Sequence, residues 1–194
     1  GEENFALEPL EISINSSDID SDVLEISSIW FRDGFRIGEL DNQSLVPVEW
    51  LGVGQVWTVS VTALDGFGGS TSITSSSITI GNLEPNADFL RSNSVMTDSI
   101  TVLDATISND PDGNIVAWFW MIGGESYTGP TVSHVFLPGN TEINLTVLDE
   151  FGGTDSIIVD IEASAGPTIS DLTVNRQGST IDISWTWSGS ETQF

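Results

Sequence analysis

Short acidic segments are the part of this sequence whose residue types and spacing could do chemistry. Asp18, Asp20 and Asp22 alternate along one stretch, and Asp110 and Asp112 alternate along another. Calcium is bound by about six to eight hard oxygen atoms, which closely spaced carboxylates and backbone carbonyls supply. Neither stretch has the loop spacing of an EF-hand, and acidic residues also simply favour turns. The pattern therefore has two interpretations, a candidate calcium site and purely structural turns.

Side chains for nucleophilic or acid–base catalysis are sparse. His134 is the only histidine, there is no cysteine, and no Gly-x-Ser-x-Gly segment is present. A serine nucleophile needs a histidine beside it, and thiolate chemistry and disulfides need cysteine. With 29 Asp and Glu residues some carboxylates must lie close together, but nothing marks one pair as the pair of a glycosidase. We therefore expect His134 to be structural and the chain not to be an enzyme.

The seven tryptophans could form a surface on which a sugar stacks, or they could fill cores. Trp30, Trp120 and Trp187 lie where immunoglobulin-like sandwiches bury an aromatic residue, and Trp57 occupies an alternating core position. Trp50 lies outside these patterns. We expect Trp50 to be the exposed ring and the candidate ligand-binding residue, and the other tryptophans to lie in cores.

The overall composition favours strands and excludes two classes of partner. The chain has 194 residues, 39% hydrophobic and 17% charged, which suits one large domain or two ordinary ones. Four arginines and no lysine stand against 29 acidic residues, so the net charge is −25. Such a charge repels nucleic acid and anionic membrane surfaces. The longest apolar run, Ile115–Ile122, is too short for a membrane-spanning helix and suits a buried strand. We expect neither nucleic-acid binding nor membrane insertion.

An internal repeat organises the elements that would position these residues. Residues 59–70 read VSVTALDGFGGS and residues 143–154 read INLTVLDEFGGT, an offset of 84 positions. In both segments apolar and polar residues alternate, as in a half-buried strand, before an Asp-x-Phe-Gly-Gly turn. A second alternating run follows each turn, so each copy is predicted to end in a β-hairpin. Upstream, an acidic turn precedes a Trp-bearing strand in each copy, at Ile26–Phe31 and Ile115–Trp120.

The repeat predicts two complete modules and part of a third. A period of about 80–90 residues matches an immunoglobulin-like sandwich and not a solenoid repeat. Linker-type residues place the modules at 1–83 and 84–165, with the incomplete start of a third immunoglobulin- or fibronectin-like module at 166–194. The third unit has two predicted strands, Ile169–Val174 and Thr180–Trp187, too few for a stable sandwich. It either belongs to a larger array or pairs with module two or another chain.

Residues 87–162 resemble the PKD domain, an immunoglobulin-like sandwich found on archaeal and bacterial surface proteins. The resemblance is carried by an acidic turn at Ser108–Gly113, an aromatic-x-Trp strand at Trp118–Trp120, a His-x-aromatic-x-x-Pro-Gly segment at His134–Gly139 and a strand ending in Asp-x-x-Gly at Ile143–Gly152. Residues 120–125 depart from the family's Trp-Asp-Phe-Gly-Asp-Gly pattern. Module one resembles a looser type of the same kind. The resemblance implies an all-β chain of tandem immunoglobulin-like, PKD-like β-sandwiches.

The resemblance also bears on the acidic turns. Some modules of this family bind calcium near the turn that corresponds to Asp110 and Asp112, close to the junction between modules. Asp88, and also Asn86, could contribute from the linker. The candidate calcium ligands are therefore Asp110, Asp112, Asp88, Asp18 and Asp20, and no other cofactor is predicted.

The expected function follows from the family and from the absence of catalytic motifs. We expect a non-catalytic structural or adhesive module of a larger multidomain surface protein, located outside the cell or at its surface. Its partners would be neighbouring modules of the same chain, a cell-surface protein or a glycan. The alternative is an ancillary carbohydrate- or protein-binding module of a secreted hydrolase.

Overall fold

The computed structural model describes residues 4–5, 7–19, 23–91, 94–166 and 168–188, which form mainly strands and turns. The strands are β1 (Asn4–Phe5), β2 (Leu10–Glu11), β3 (Glu25–Arg32), β4 (Phe35–Arg36), β5 (Leu45–Val46), β6 (Val56–Leu64), β7 (Ser70–Thr74), β8 (Ile78–Gly81), β9 (Ser94–Met96), β10 (Ile100–Asp104), β11 (Ile115–Ile122), β12 (Glu125–Thr128), β13 (Thr131–Val135), β14 (Gly139–Asp149), β15 (Thr154–Ser164), β16 (Thr168–Gln177) and β17 (Thr180–Ser188). Short 3₁₀ turns lie at Gly38–Leu40 and Val48–Trp50. In the described part of the chain no helix has the length and apolar character needed to cross a membrane.

The chain separates into two compact units. The first consists of Gly1–Pro85 together with two short turns of later sequence, Asp110–Asn114 and Asp149–Gly153. The second consists of Asn86–Asn109, Ile115–Leu148 and Thr154–Phe194. The residues that follow β8 and the two acidic turns therefore belong to the same compact unit.

In the first unit, β3 and β6 form the centre of a sheet. The strand order is β1-β8-β6-β3-β4, β7 also pairs with β6, and β2 pairs with β5 in a second sheet. Apolar and polar residues alternate along β3 and β6, so the apolar side chains lie on one face of the sheet. That face forms a core. Trp30 and Trp57 meet there edge to face at 6.5 Å, and both are buried. Trp30 Nε1 donates to the carbonyl oxygen of Gln43 at 2.9 Å, which satisfies the one polar atom of that ring.

The second unit repeats this arrangement with longer strands. One sheet has the order β12-β11-β14-β15-β9, and β10 pairs with β13 in the other. The predicted hairpin is formed by β14 and β15, whose antiparallel register runs from Leu148 opposite Thr154 to Gly139 opposite Ala163. Trp120 is buried against Phe89 with ring centres 5.1 Å apart. The prediction of an all-β chain of immunoglobulin-like sandwiches is confirmed, as are the core positions of Trp30, Trp57 and Trp120.

The hairpin of β16 and β17 departs from the expectation for its tryptophans. Polar residues occupy one face, where Thr173 and Ser184 hydroxyls are hydrogen-bonded. Apolar residues occupy the other, and Trp185 on that face is 57% exposed. The expectation that Trp185 lies in a core is therefore wrong, because the described residues leave this face of the hairpin exposed. The side chain of Trp187 lies outside the described residues.

Candidate functional site

The carboxylate of Asp149 is the most deeply buried charged group among the described residues. Asp149 ends β14 and is 1% exposed. Its Oδ1 accepts hydrogen bonds from the backbone N–H groups of Phe151 and Gly153, both at 2.8 Å. Its Oδ2 accepts a third from the side-chain amide of Asn82 at 2.7 Å. Every one of these partners donates, so the site fits an ionised carboxylate.

The pKa of Asp149 reflects a balance between burial and hydrogen bonding. Burial is the largest single cause and by itself raises the pKa. The hydrogen bonds from the Asn82 amide and from the backbone N–H groups that follow Asp149 together outweigh it, so the pKa of Asp149 is lowered. A lowered pKa in the folded state means that this carboxylate stabilises the fold above its ordinary pKa, and that the contribution disappears as the pH falls through the lowered value.

The segment that follows β8 is hydrogen-bonded to two turns. Asn82 is bound to Asp149, and the next residue, Leu83, donates its backbone N–H to Asp112 Oδ2 at 3.0 Å. Gly153 is required for this approach, because a Cβ at that position would lie 2.7 Å from Asn82 Nδ2 and 2.4 Å from Asp149 Oδ2. We refer to Asn82, Leu83 and the turns Asp110–Asn114 and Asp149–Gly153 as the linker–turn cluster. All of them belong to the first compact unit.

The two turns of the cluster are also bonded to each other. Asn114 Nδ2 donates to Glu150 Oε1 at 3.1 Å, and the backbone N–H of Glu150 donates to the Asn114 carbonyl at 3.2 Å. A side chain at Gly113 would collide with this arrangement, because its Cβ would lie 2.7 Å from Asp110 Oδ2. Glycine is therefore part of the close packing of the turns.

The close packing of the turns disfavours the ionised form of Asp110. Burial is the main reason that its pKa is raised, the backbone N–H of Asp112 acts in the opposite direction, and the charges of Asp112 and Asp149 raise it further. Asp110 Oδ2, Asp112 Oδ1 and Asn82 Oδ1 are buried and have no hydrogen-bond partner among the described residues. Buried oxygens without partners cost free energy, so the cluster has unused capacity to bind a donor or a cation.

The Asp-x-Phe-Gly-Gly repeat has the same local geometry in both copies. Asp65 Oδ1 accepts the backbone N–H groups of Phe67 and Gly69, both at 2.8 Å, as Asp149 does with its own turn. Aspartate side chains commonly close turns in this way. Gly69 is needed because a Cβ there would lie 2.2 Å from Asp65 Oδ2. The repeated motif therefore encodes a carboxylate-capped turn, and the bond to a linker amide is an addition found at Asp149.

Two of the predicted calcium ligands, Asp110 and Asp112, share one turn, where the backbone N–H of Asp112 is 3.4 Å from Asp110 Oδ1. Asp88 belongs to the second compact unit, where its Oδ1 accepts the Phe89 N–H and its backbone bonds to Ser108. Asp18 borders a cavity of the first unit, and Asp20 lies outside the described residues. No group of three or more carboxylate or imidazole side chains in the described ranges is arranged to hold a metal ion.

Trp50 and His134 also have structural neighbours. Trp50 closes a 3₁₀ turn and packs against the first core, so the expectation of an exposed ring is wrong, although ligand binding at its partly exposed edge stays a prediction. The ring is half-buried because it packs against that core. His134 is 3.0 Å from the Tyr127 hydroxyl through Nδ1 and stacks edge to face on Phe136. These contacts fit the structural role expected for His134.

Comparison with known proteins identifies the second copy of the repeat. Residues 82–163 match the sequence model of the PKD domain family. This segment is similar to PKD domains. The match begins at Asn82, so the matched segment includes the residue that donates to Asp149. No curated protein matches the chain.

Solved structures of similar fold include two isolated PKD domains. The PKD1 domain of Vibrio anguillarum Epp is 23% identical, with a TM-score of 0.38, and the match covers 44% of this chain and 99% of that one. The PKD1 domain of the Vibrio cholerae metalloprotease PrtV is 27% identical, with a TM-score of 0.37, over 43% of this chain and 100% of that one. A structure of carbohydrate-binding modules from the β-sandwich superfamily is 24% identical, with a TM-score of 0.41. The match covers 55% of this chain and 54% of that one.

No sequence pattern marks three members of the cluster as site residues: Asn82, Leu83 and Asp149. Asp149 was visible as the repeated aspartate of Asp-x-Phe-Gly-Gly, but the repeat suggested only a turn. Nothing in the sequence linked it to Asn82, which lies 67 positions away. A residue that pairs across such a separation carries no periodic signal.

Replacing Asn82 by Asp tests the charge state of the cluster. The side chain keeps its shape but places a second carboxylate against Asp149, so at least one pKa rises in the folded state. We expect N82D to lower the free energy of unfolding by about 1–3 kcal/mol at pH 7. Because a raised carboxyl pKa makes the folded state bind more protons than the unfolded one, the loss shrinks as the pH falls towards 4. Urea unfolding at several pH values measures this.

The matched control is Asn140→Asp, which introduces the same charge at an exposed position of β14. We expect it to cost less than about 0.5 kcal/mol, as surface substitutions usually do. Equal losses for the two variants, or a loss for N82D that grows on acidification, would contradict the hydrogen-bonded arrangement around Asp149.

Proposed function

We propose that this chain is a non-catalytic structural or adhesive part of a larger multidomain surface protein, outside the cell or at its surface. The modules span residues 1–83 and 84–165, and a third begins at 166–194. Its partners are neighbouring modules of the same chain and a cell-surface protein or glycan. The PKD match, the acidic composition and the internal repeat support this proposal.

The observation that carries the proposal is the bound state of the segment between the two copies. A free linker would expose its backbone to water. Here Leu83 donates its backbone N–H to Asp112, and the Asn82 side-chain amide donates to Asp149 Oδ2. Chemistry of this kind suits a spacer, because it holds a connecting segment in one conformation. Catalysis would instead require a reactive side chain, whereas the hydrogen-bonded carboxylates of Asp112 and Asp149 accept from backbone and amide groups.

The alternative, an ancillary binding module of a secreted hydrolase, depends on an exposed platform for a sugar or a protein. Trp50 is the residue that this alternative needs most, and it packs against the first core. The spacer function is therefore the better supported of the two.

Hydrogen exchange at the Leu83 amide tests the spacer function. We expect this amide to be protected in the native protein and to exchange about tenfold faster in Asp112→Ala, because a hydrogen bond to a charged group contributes on the order of 1–2 kcal/mol. Glu84→Ala, an exposed neighbour in the same segment, is the control and should leave the rate unchanged. A Leu83 amide that exchanges in the native protein at the rate of an unprotected peptide would contradict the proposal.

Calcium binding is a second candidate function, favoured by the three buried oxygens without partners. Asp110 and Asp112 carboxylates and the Asn82 amide oxygen are the hard donors that calcium prefers, with backbone carbonyls or water completing a site. A bound calcium ion would neutralise part of the repulsion that raises the pKa of Asp110.

Calorimetric titration of the chelated protein with calcium tests this function. We expect heat of binding and a higher melting temperature at millimolar calcium, both lost in Asp112→Ala and retained in Asp160→Asn, which removes a charge from an exposed strand position. Absence of heat together with an unchanged melting temperature would exclude the site.

A further inference from the structure

A cavity in the first unit lies beside the turn that corresponds to the Asp149 turn. It has a volume of about 540 Å³ and reaches Asp65 and Gly69 on one side. Ile26, Val61 and Ala63 contribute apolar surface to it. None of its described lining residues is aromatic, so it lacks the ring on which a sugar would stack.

The corresponding positions of the second copy are filled. There, Asp149 Oδ2 accepts the Asn82 amide, and Leu145 and Val147, which correspond to Val61 and Ala63 in the repeat, are completely buried. In the first copy Val61 and Ala63 are only half-buried. At these two positions the apolar side chains of the first copy are therefore more exposed than those of the second.

The carboxylate of Asp65 accepts the same two backbone hydrogen bonds from its turn as that of Asp149. Its Oδ1 accepts the backbone N–H groups of Phe67 and Gly69, so the two hydrogen bonds that close the turn do not use its Oδ2. Gly69, like Gly153, leaves the space beside this oxygen clear of a side chain. In the second copy the corresponding oxygen, Asp149 Oδ2, accepts the side-chain amide of Asn82.

We infer that the Asp65–Gly69 turn and its cavity bind the linker of a preceding module. The bound segment is extended, donates an asparagine side-chain amide to Asp65 Oδ2 and places the following aliphatic side chain on the surface formed by Ile26, Val61 and Ala63. The model for this partner is the chain's own Gly81–Pro85 segment, GNLEP. The inference rests on the proposed spacer function, because it requires a module upstream.

Titration of the ¹⁵N-labelled protein with the acetylated, amidated peptide GNLEP tests the inference. We expect saturable shifts of the Gly69 and Ser70 amide resonances in the millimolar range, since a short flexible peptide loses much of its binding energy on ordering. The peptide GALEP, which lacks the amide, should produce no saturable shift. The turn at Asp149 should not respond, because its own linker is present at a high effective concentration.

The matched protein variants are Asp65→Ser and Asp160→Ser. Serine at 65 keeps one oxygen for the turn but removes the second acceptor, so the GNLEP response should disappear, whereas Asp160→Ser should retain it. Equal responses to GNLEP and GALEP, an undiminished response in Asp65→Ser, or shifts produced by cellohexaose and not by GNLEP would overturn the inference. Protection of the Leu83 amide does not involve residue 65, so such a result would leave the proposed spacer function standing.

Discussion

The buried carboxylate of Asp149 sets the conditions that the surrounding residues have to meet. A charge that is 1% exposed is tolerated only when hydrogen bonds replace the water it has lost. Two donors come from the turn that follows it, at Phe151 and Gly153, and the third comes from Asn82. The glycine is needed to leave room for the amide. Local turn chemistry and the course of the linker are thereby coupled through one carboxylate.

Asp65 separates the two parts of this coupling. Its turn has the same two backbone hydrogen bonds, both from residues of the Asp-x-Phe-Gly-Gly motif, so the motif forms the turn from its own residues. Linker binding at Asp149 is a second use of the same carboxylate, made possible by its remaining oxygen. This arrangement disfavours the charged form of Asp110, whose pKa is raised by burial and by its acidic neighbours. Retention of so much negative charge in one cluster is consistent with binding neutral amides or cations.

The sequence predicts the repeated elements well because they depend on local patterns. Alternation identifies the hairpin of β14 and β15, and the aromatic positions identify Trp30 and Trp120 as core residues. Exposure of Trp185 and partial burial of Trp50 are not local properties, since each depends on what covers the ring. The expectations that failed are therefore those that required knowledge of a distant neighbour.

The candidate site was predicted in part, and for the same reason. The acidic turn containing Asp110 and Asp112 was recognised from its spacing, but the turn alone suggests calcium as readily as it suggests structure. Its contact with the Leu83 amide joins residues 29 positions apart and has no counterpart in any sequence pattern. The module boundaries and the calcium ligands stay predictions. Asp88 in particular has its own partners, Phe89 and Ser108.

The pKa of Asp149 tests the central claim most directly. Titration of its side-chain carboxyl ¹³C resonance measures this value in the native protein and in Asn82→Ala. The hydrogen-bonded arrangement predicts a pKa below that of an ordinary aspartate in the native protein, and a higher pKa in the variant, because burial then acts with one opposing donor fewer. A native pKa at or above the ordinary value, or one that does not change when Asn82 is replaced, would contradict the account.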